Sequence, residues 1–272
     1  MVIDATVTSE LDRKDSPLRL IIDDHTELLK QWRQQIVDAV KDQPTFRPER
    51  PSLGGMAGHA IDHRIRWWLT GVTFIDDTLL GGLARCSPHT RDEFLEAFAA
   101  IEGMPAGVLD AERELTVARV AVAAGSVEPR FRAGPSMPCA LDDLGMEAFL
   151  ASYHDVVEDI VRLSAGLPTL LAPYAGKEVE CGPIVPCGRL AGDGDLLVDG
   201  ELVEIKCTVN PKDIALATAR QILVYAARLH ADRAALLLPR QGSRVVFDLS
   251  QLGSILERID ERIVAAYGAV AG

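Results

Sequence analysis

The feature that most constrains the fold is a predicted β-hairpin in the C-terminal half of the chain. An apolar run follows Asp195, and the pair Asp199-Gly200 is a strong signal for a two-residue hairpin turn. Residues 201–206 then alternate polar and apolar side chains with the period of a strand. This alternation puts Glu204 and Lys206 on one face, and the turn brings Asp195 back beside that face. The hairpin is therefore predicted to gather two carboxylates and one ammonium group at one point of a sheet.

The grouped charges have a chemical interpretation. Carboxylate oxygens placed together suit Mg²⁺ or Mn²⁺. A lysine beside them can position or deprotonate a metal-bound water and offset charge on a reacting phosphate. A surface hairpin with solvated charges is the alternative, and it is the better interpretation of Glu204 or Lys206 taken alone. The complete set, Asp195 followed nine residues later by Glu-x-Lys, favours chemistry.

These residues resemble the signature of the PD-(D/E)XK nuclease superfamily. Asp195 corresponds to its aspartate and Glu204-Ile205-Lys206 to its (D/E)-x-K, whereas Gly194 replaces the proline of the name. The segment 192–195, Gly-Asp-Gly-Asp, is closer to the Gly-x-x-Asp of the RecB-like exonuclease branch. That branch also carries Gln-x-x-x-Tyr on the next helix, which Gln221 and Tyr225 supply here on one helical face.

The resemblance implies a role for each of these residues. Asp195, Glu204 and the carbonyl of Ile205 are expected to bind Mg²⁺ or Mn²⁺, and Lys206 is expected to orient the attacking water. Two further residues are expected to steady the active site or a substrate phosphate, Gln221 and Tyr225. The alternative for this last pair is an ordinary amphipathic helix with an amide and a phenol at its boundary.

The order of predicted elements fits the core of that superfamily. A helix over 146–163, an interrupted strand over 177–189 and the hairpin are followed by a helix from Pro211 to about His230, strands over 234–239 and 244–249, and a helix that Ser250 caps and Tyr267 ends. We predict an α/β fold with a restriction-endonuclease-like core, a small mixed central sheet flanked by helices, over residues 145–272. Residues 18–127 form a predicted N-terminal helical region, with a helix over 18–40. The proline-rich residues 128–138 form a predicted linker, and residues 1–17 are expected to be frayed.

A glycine-rich segment that starts a predicted helix, residues 54–69, resembles the element on which RecB-like nucleases place a metal-ligand histidine. We assign this role to His63, with His59 one turn earlier on the same face, although the spacing from Gly58 also admits Asp62. The alternative is that both histidines are solvent-facing or hydrogen-bonded helix residues. A separate zinc hydrolase is disfavoured, because His59-x-x-x-His63 lacks the glutamate of His-Glu-x-x-His.

The net charge, the cysteines and the apolar runs of the sequence limit the partners and cofactors that the protein can have. The net charge of −12 argues against a general electrostatic grip on nucleic acid, but metal ions and a local basic lining can neutralise phosphates near a cleavage site. The five cysteines are expected to be free thiols, and their spacing argues against an iron–sulfur cluster or structural zinc. We find no bilayer-spanning apolar run and no signal-peptide pattern, so a cytoplasmic protein without a membrane partner is expected.

Together these features predict a metal-dependent nuclease that hydrolyses DNA, acting as a homo-oligomer or within a larger complex. Two alternatives stay open at this point. One is a nuclease-fold module that binds nucleic acid ends or a protein partner without cleavage. The other is a helical scaffold whose motifs are accidental.

Overall fold

The structure is a computed structural model that describes residues 5–71, 77–133 and 136–268. The chain divides into two compact units. The sheet unit comprises the described residues of Met1–Pro44, Lys177–Lys206 and Asn210–Gly272, and the helical unit comprises those of Thr45–Gly176 with Cys207–Val209. The N-terminal helices therefore belong to the same unit as the C-terminal sheet.

Helices make up most of the described chain. In chain order they are α1 (Val7–Asp12), α2 (Pro17–Asp23), α3 (Thr26–Ala39), α4 (Gly54–Thr70), α5 (Asp77–Leu83), α6 (Pro88–Ala99), α7 (Ala111–Val127), α8 (Pro129–Ala133), α9 (Ala140–Leu144), α10 (Met146–Ser152), α11 (His154–Ser164), α12 (Leu167–Leu171), α13 (Pro211–Leu229) and α14 (Gly253–Tyr267). Within the described chain, none of them combines the length and hydrophobicity needed to cross a membrane.

The strands form one mixed sheet and one two-stranded ribbon. They are β1 (Ala5–Thr6), β2 (Val179–Cys181), β3 (Leu190–Ala191), β4 (Leu196–Val198), β5 (Glu201–Ile205), β6 (Arg233–Leu238) and β7 (Ser243–Asp248). The five-stranded sheet has the order β2-β4-β5-β6-β7, and β1 pairs with β3 outside it. Only β5 and β6 run parallel within the larger sheet, and α13 connects them. The architecture is mixed α/β, as the sequence predicts.

Local sequence explains the central hairpin of this sheet. Asp199 and Gly200 both have positive φ angles, of 46° and 80°, which is the backbone of a type I′ turn. Every residue of β5 is buried, as is typical of a strand covered on both faces. Helix α13 packs on β5 and β6 and also contacts α3 and α14. Trp32 of α3 meets Phe247 of β7 with ring centroids 4.9 Å apart, so residues far apart in sequence share this core.

The helical unit is built around the contact between α4 and α7, with α11 against both. Residues 120–127 of α7 are all buried. Gly125 allows the close approach of the two helices, because a Cβ atom there would lie 2.9 Å from the carbonyl oxygen of Met56 and 3.2 Å from the Cβ of His59. A glycine inside a buried helix is explained here by backbone proximity.

Several local predictions were wrong. Residues 5–17 are ordered, because Thr6 and Ser9 form a reciprocal capping box that starts α1. The helix predicted over 18–40 is two helices in the structure. Ser16 caps α2, which ends at Asp23, and α3 begins at Thr26, so Asp24 and His25 separate them.

Two more boundaries differ from the prediction in the C-terminal half. The helix predicted over 146–163 is divided at Tyr153, whose φ and ψ angles of −116° and 25° leave the helical region. Helix α14 begins after Leu252 without a side-chain cap, and the amide of Ser250 instead donates to Oδ1 of Asp248 at 3.0 Å. Ser250 therefore belongs to a turn after β7.

Candidate active site

The hairpin places Asp195 opposite Glu204. The strands β4 and β5 pair antiparallel with Leu196 facing Val203, and the same register continued by one residue sets Asp195 against Glu204. Residues directly opposite each other in an antiparallel pair share a face. The Oδ2 atom of Asp195 accepts a hydrogen bond of 2.6 Å from the amide of Ile205, which holds the carboxylate at the end of β5. The predicted convergence of the two acids is therefore present.

Lys206 completes the charged group. Its Nζ atom donates to Oε2 of Glu204 at 3.0 Å, and about a quarter of its side chain is exposed. Its amide donates to the carbonyl oxygen of Leu237 at 2.9 Å, which extends the pairing with β6 by one residue. Glu204 is fully buried, and its other oxygen, Oε1, has no hydrogen-bond partner among the residues that the structure describes. One oxygen of a buried acid is thus satisfied by lysine and the other is left without a donor.

The pKa of Glu204 reflects this environment. Burial and the negative charge of Asp195 together raise it to about 8, against the opposing effect of the Lys206 ammonium group. A carboxyl group with such a pKa keeps its proton at neutral pH unless more positive charge comes close. Perturbed acids of this kind are concentrated at functional sites.

Helix α13 brings Gln221 and Tyr225 to the same group of charges. Tyr225 is 2 % exposed, and its pKa is raised well above the usual range by burial and by the negative charge of Glu204. A hydrogen bond with Gln221 opposes this rise. The phenol of Tyr225 therefore stays protonated and available as a donor beside the two acids. Pro211 occupies the first turn of α13, as predicted, although Asn210 forms no side-chain cap.

A third acid, Asp193, was not assigned a role from the sequence. Its negative charge raises the pKa of both Glu204 and Tyr225, so it lies within electrostatic reach of them. Asp193 forms a bridge with Ile184 of the preceding segment. Its position two residues before Asp195 was the available signal, because alternate residues of an extended chain point the same way.

The two glycines that flank Asp193 lie where neighbouring side chains leave little room for a Cβ atom. A Cβ atom on Gly192 would lie 2.9 Å from Cγ2 of Val7, and one on Gly194 would lie 3.2 Å from Cγ of Pro183. The amide of Gly194 also donates to the carbonyl of Pro183 at 2.9 Å. Larger side chains at these positions would displace the segment that carries Asp195.

His63 lies in the helical unit, in the middle of α4. It is fully buried, and its Nε2 atom lies 3.4 Å from Oε2 of Glu128, the residue that ends α7. The same oxygen lies 3.1 Å from Nδ1 of His59. Asp62 instead forms an ion pair with Arg66, with Nη2 and Oδ2 2.6 Å apart. The role of His63 as a metal ligand stays a prediction, and Glu128 is a partner that the sequence analysis did not identify.

The donor set for a cation is incomplete in side chains alone. Across residues 5–71, 77–133 and 136–268, no three or more His, Cys, Asp or Glu side chains are arranged as a group that can hold a metal ion. The pair Asp195 and Glu204 nevertheless fits a hard cation, because both offer oxygen and one Glu204 oxygen lacks a donor. A main-chain carbonyl such as that of Ile205 would add a third oxygen.

Several basic residues near this sheet are engaged with acids. Arg220 donates to Asp23 at 2.7 Å, and Arg244 donates to Glu201 at 2.6 Å. Arg240 is 2 % exposed. Two of these arginines are paired with acids and the third is buried. They therefore contribute little positive charge to a surface that a nucleic acid could contact.

Comparison of the chain with protein-family models, with curated protein sequences and with solved structures found no match.

Proposed function

We propose that this protein is a metal-dependent nuclease that hydrolyses DNA phosphodiester bonds. The observation that carries the proposal is the environment of Glu204: a fully buried carboxyl group faces Asp195, with one oxygen bound to Lys206 and the other lacking a donor. Burying an acid beside a second, half-buried acid costs free energy unless positive charge compensates them. A divalent cation would supply that charge and would make the raised pKa of Glu204 irrelevant in the loaded protein.

The residues have separable roles in this proposal. Asp195, Glu204 and the carbonyl of Ile205 would hold Mg²⁺ or Mn²⁺. Such an ion supplies Lewis acidity toward a phosphate oxygen and a more acidic water. Lys206 orients the attacking water and stabilises negative charge on the phosphate, because its Nζ atom lies at the partly exposed edge of the group. Gln221 and Tyr225 donate hydrogen bonds that steady the acids or a substrate phosphate.

The chain topology also supports this function. An antiparallel β2-β4-β5 segment is followed by α13 and by β6 parallel to β5. This is the strand–helix–strand order expected of a restriction-endonuclease-like core, and α13 carries the Gln-x-x-x-Tyr pair at the position that the RecB-like resemblance implies. Motif and topology are independent features, so their agreement strengthens the proposal.

Substitution of the hairpin residues tests the proposal. We expect Asp195→Ala and Lys206→Ala each to reduce Mn²⁺-dependent nicking of plasmid DNA by about 10³-fold or more, because the first removes a ligand of the metal ion and the second removes positive charge at the reacting phosphate. Circular dichroism should show that both variants stay folded. The exposed residues Glu180 on β2 and Lys212 on α13 provide matched controls, and Glu180→Ala and Lys212→Ala should cleave at the wild-type rate. Equal nicking by wild type and both hairpin variants would refute the assignment.

The second candidate is a nuclease-fold module that binds DNA ends or a protein partner without cutting. The net charge of −12 and the incomplete side-chain donor set favour it. Calorimetry with Mn²⁺ separates the two functions. Binding that Asp195→Asn abolishes supports the nuclease, whereas absent binding, or binding indifferent to Asp195→Asn, supports the module.

A further inference from the structure

The acid-bearing loop, residues 182–195, leads the chain into the candidate active site. Two main-chain hydrogen bonds of 2.8 and 2.9 Å join its antiparallel arms, and a tight turn over residues 187–190 connects them. Asp195 ends the loop, and its carboxylate accepts from the amide of Ile205 there. Two paired segments of chain are marginally stable by themselves. The position of Asp195 therefore depends on contacts that hold the loop from outside.

Arg228 of α13 binds the main chain of this loop. Its Nε atom donates to the carbonyl oxygen of Pro186 at 2.6 Å, just before the turn. Its Nη1 atom is paired with Oδ1 of Asp260 on α14. The side chain of Arg228 is 8 % exposed. Because the donors of a guanidinium group lie in a fixed plane, this one side chain joins the loop to two helices.

The face of α13 that carries Arg228 also reaches the acids. Gln221, Tyr225 and Arg228 are spaced at i, i+4 and i+7, which places them along one side of the helix. A Cβ atom on Gly192 would lie 3.6 Å from Cε1 of Tyr225, so this ring lies beside the second arm of the loop. One helix therefore contacts the acid-bearing loop at two places.

The turn of the loop is packed against the end of α14 and against β1. The amide of Arg189 donates to the carbonyl oxygen of Tyr267 at 3.3 Å, and a Cβ atom on Gly188 would lie 2.5 Å from the same oxygen. Strand β1 pairs with residues 190–191. Arg228 adds a charge-assisted hydrogen bond to these contacts, and such a bond is stronger than a neutral one.

We propose that Arg228 is a positioning residue for the candidate active site. Through the Pro186 carbonyl it fixes the acid-bearing loop, and the loop sets the carboxylate of Asp195. Asp260 holds the guanidinium group in place, and Arg228 acts through the loop without binding the metal ion itself. The inference rests on the proposed function only in taking Asp195 as a metal ligand. Substituting a residue that orients a metal ligand typically lowers metal affinity by about 10–100-fold.

Amide hydrogen exchange of the metal-free protein tests this placement. The amide of Ile205 is bonded to the Asp195 carboxylate, whereas the next amide, that of Lys206, is bonded to β6. In Arg228→Met, we expect Ile205 to exchange at least about 10-fold faster and Lys206 to exchange as in wild type. The exposed Arg262 on α14 provides a matched control, and Arg262→Met should leave both amides unchanged. Equal acceleration at both amides, the same acceleration in Arg262→Met, or no acceleration in Arg228→Met would overturn the proposal.

A second variant keeps the proposal testable if Arg228→Met does not fold. Asp260→Asn keeps the guanidinium group but replaces its charged partner with a neutral one, so the hold on Pro186 weakens. We expect Ile205 to exchange at least about 3-fold faster in this variant, again with Lys206 unchanged. Without that selective acceleration, Arg228 does not position Asp195.

Calorimetry with Mn²⁺ separates this inference from the proposed function. We expect Arg228→Met to weaken Mn²⁺ binding by about 10-fold or more, and Arg262→Met to bind as wild type does. Wild-type protein that binds no Mn²⁺ would refute the proposed function, and the exchange of Ile205 would still decide whether Arg228 places Asp195. Mn²⁺ binding that Arg228→Met leaves unchanged would refute the positioning role alone.

Discussion

The two units of the molecule treat buried carboxylates in opposite ways. In the helical unit, Glu114 is paired with Arg64 through two hydrogen bonds of 2.8 and 2.7 Å. Glu128 contacts His59 and His63, and these hydrogen bonds outweigh the effect of burial and hold the pKa of Glu128 well below its ordinary range. In the sheet unit, Glu204 is more deeply buried than either, yet its pKa is raised to about 8.

The contrast shows how an acid that the fold compensates differs from one that it leaves incompletely compensated. Glu114 faces the guanidinium group of Arg64 and Glu128 faces the imidazole groups of His59 and His63, so the fold itself stabilises their ionised forms. Glu204 is buried near one lysine and two further acids, Asp195 and Asp193, so the fold by itself favours its neutral form. A buried site that is incompletely compensated is ready to accept positive charge from outside the chain.

The largest effect on stability is expected at the Arg64–Glu114 pair. Because both side chains are buried, Arg64→Ala leaves the Glu114 carboxylate uncompensated, and we expect the free energy of unfolding to fall by about 3–5 kcal/mol. Urea denaturation measures this loss. The double variant Arg64→Met/Glu114→Leu should recover most of it, and a double variant as unstable as Arg64→Ala would contradict the charge argument.

The next effect on stability concerns Glu204 and depends on pH. Its pKa is raised in the folded state from an ordinary value of 4.5 to about 8, so its contribution to stability is complete below pH 4.5 and is lost as the pH rises through 8. Between about pH 6 and 8 the metal-free protein should lose about 2 kcal/mol that Glu204→Gln does not lose.

Thermal denaturation at several pH values measures the difference between wild type and Glu204→Gln. Mn²⁺ should reduce the loss in wild type and leave the variant unchanged. If the stability of the two metal-free proteins changes with pH in the same way, Glu204 is charged and compensated by the fold alone. The difference between the carboxylates of the two units would then disappear.

The smallest of the three effects is expected at Glu128. Its pKa is depressed, so its contribution to stability is present above about pH 4.5 and is lost as the pH falls below this value. We expect Glu128→Gln to lower the free energy of unfolding by about 1–3 kcal/mol near neutral pH, because hydrogen bonds to a charged group are replaced by weaker ones. The difference from wild type should shrink in acid, and a difference that grows in acid would contradict the assignment.

Much of the sheet could be predicted because its signals are local. The Asp199-Gly200 turn, the period-two pattern of β5 and the apolar runs of β6 and β7 each depend on neighbouring residues. The capping box at Thr6 is equally local but gives a weaker signal, since Ser9 stands at the position where a glutamate or glutamine is usual. The division at Tyr153 has no comparable signal, because the apolar pattern continues through it.

The long-range partners could not be predicted. The histidines at 59 and 63 were visible, but Glu128, their shared partner, lies on another helix and next to a proline that indicated a loop. The packing of α3 on α13 and β7 joins residues separated by most of the chain.

The sequence by itself determined the hairpin, the face on which Glu204 and Lys206 lie, and the return of Asp195 to that face. These follow from turn chemistry and strand periodicity, which act over a few residues. Only the tertiary structure decided how deeply each acid is buried and which charges surround it. Those properties set the pKa of a carboxyl group, and they depend on side chains that folding brings together from distant parts of the chain.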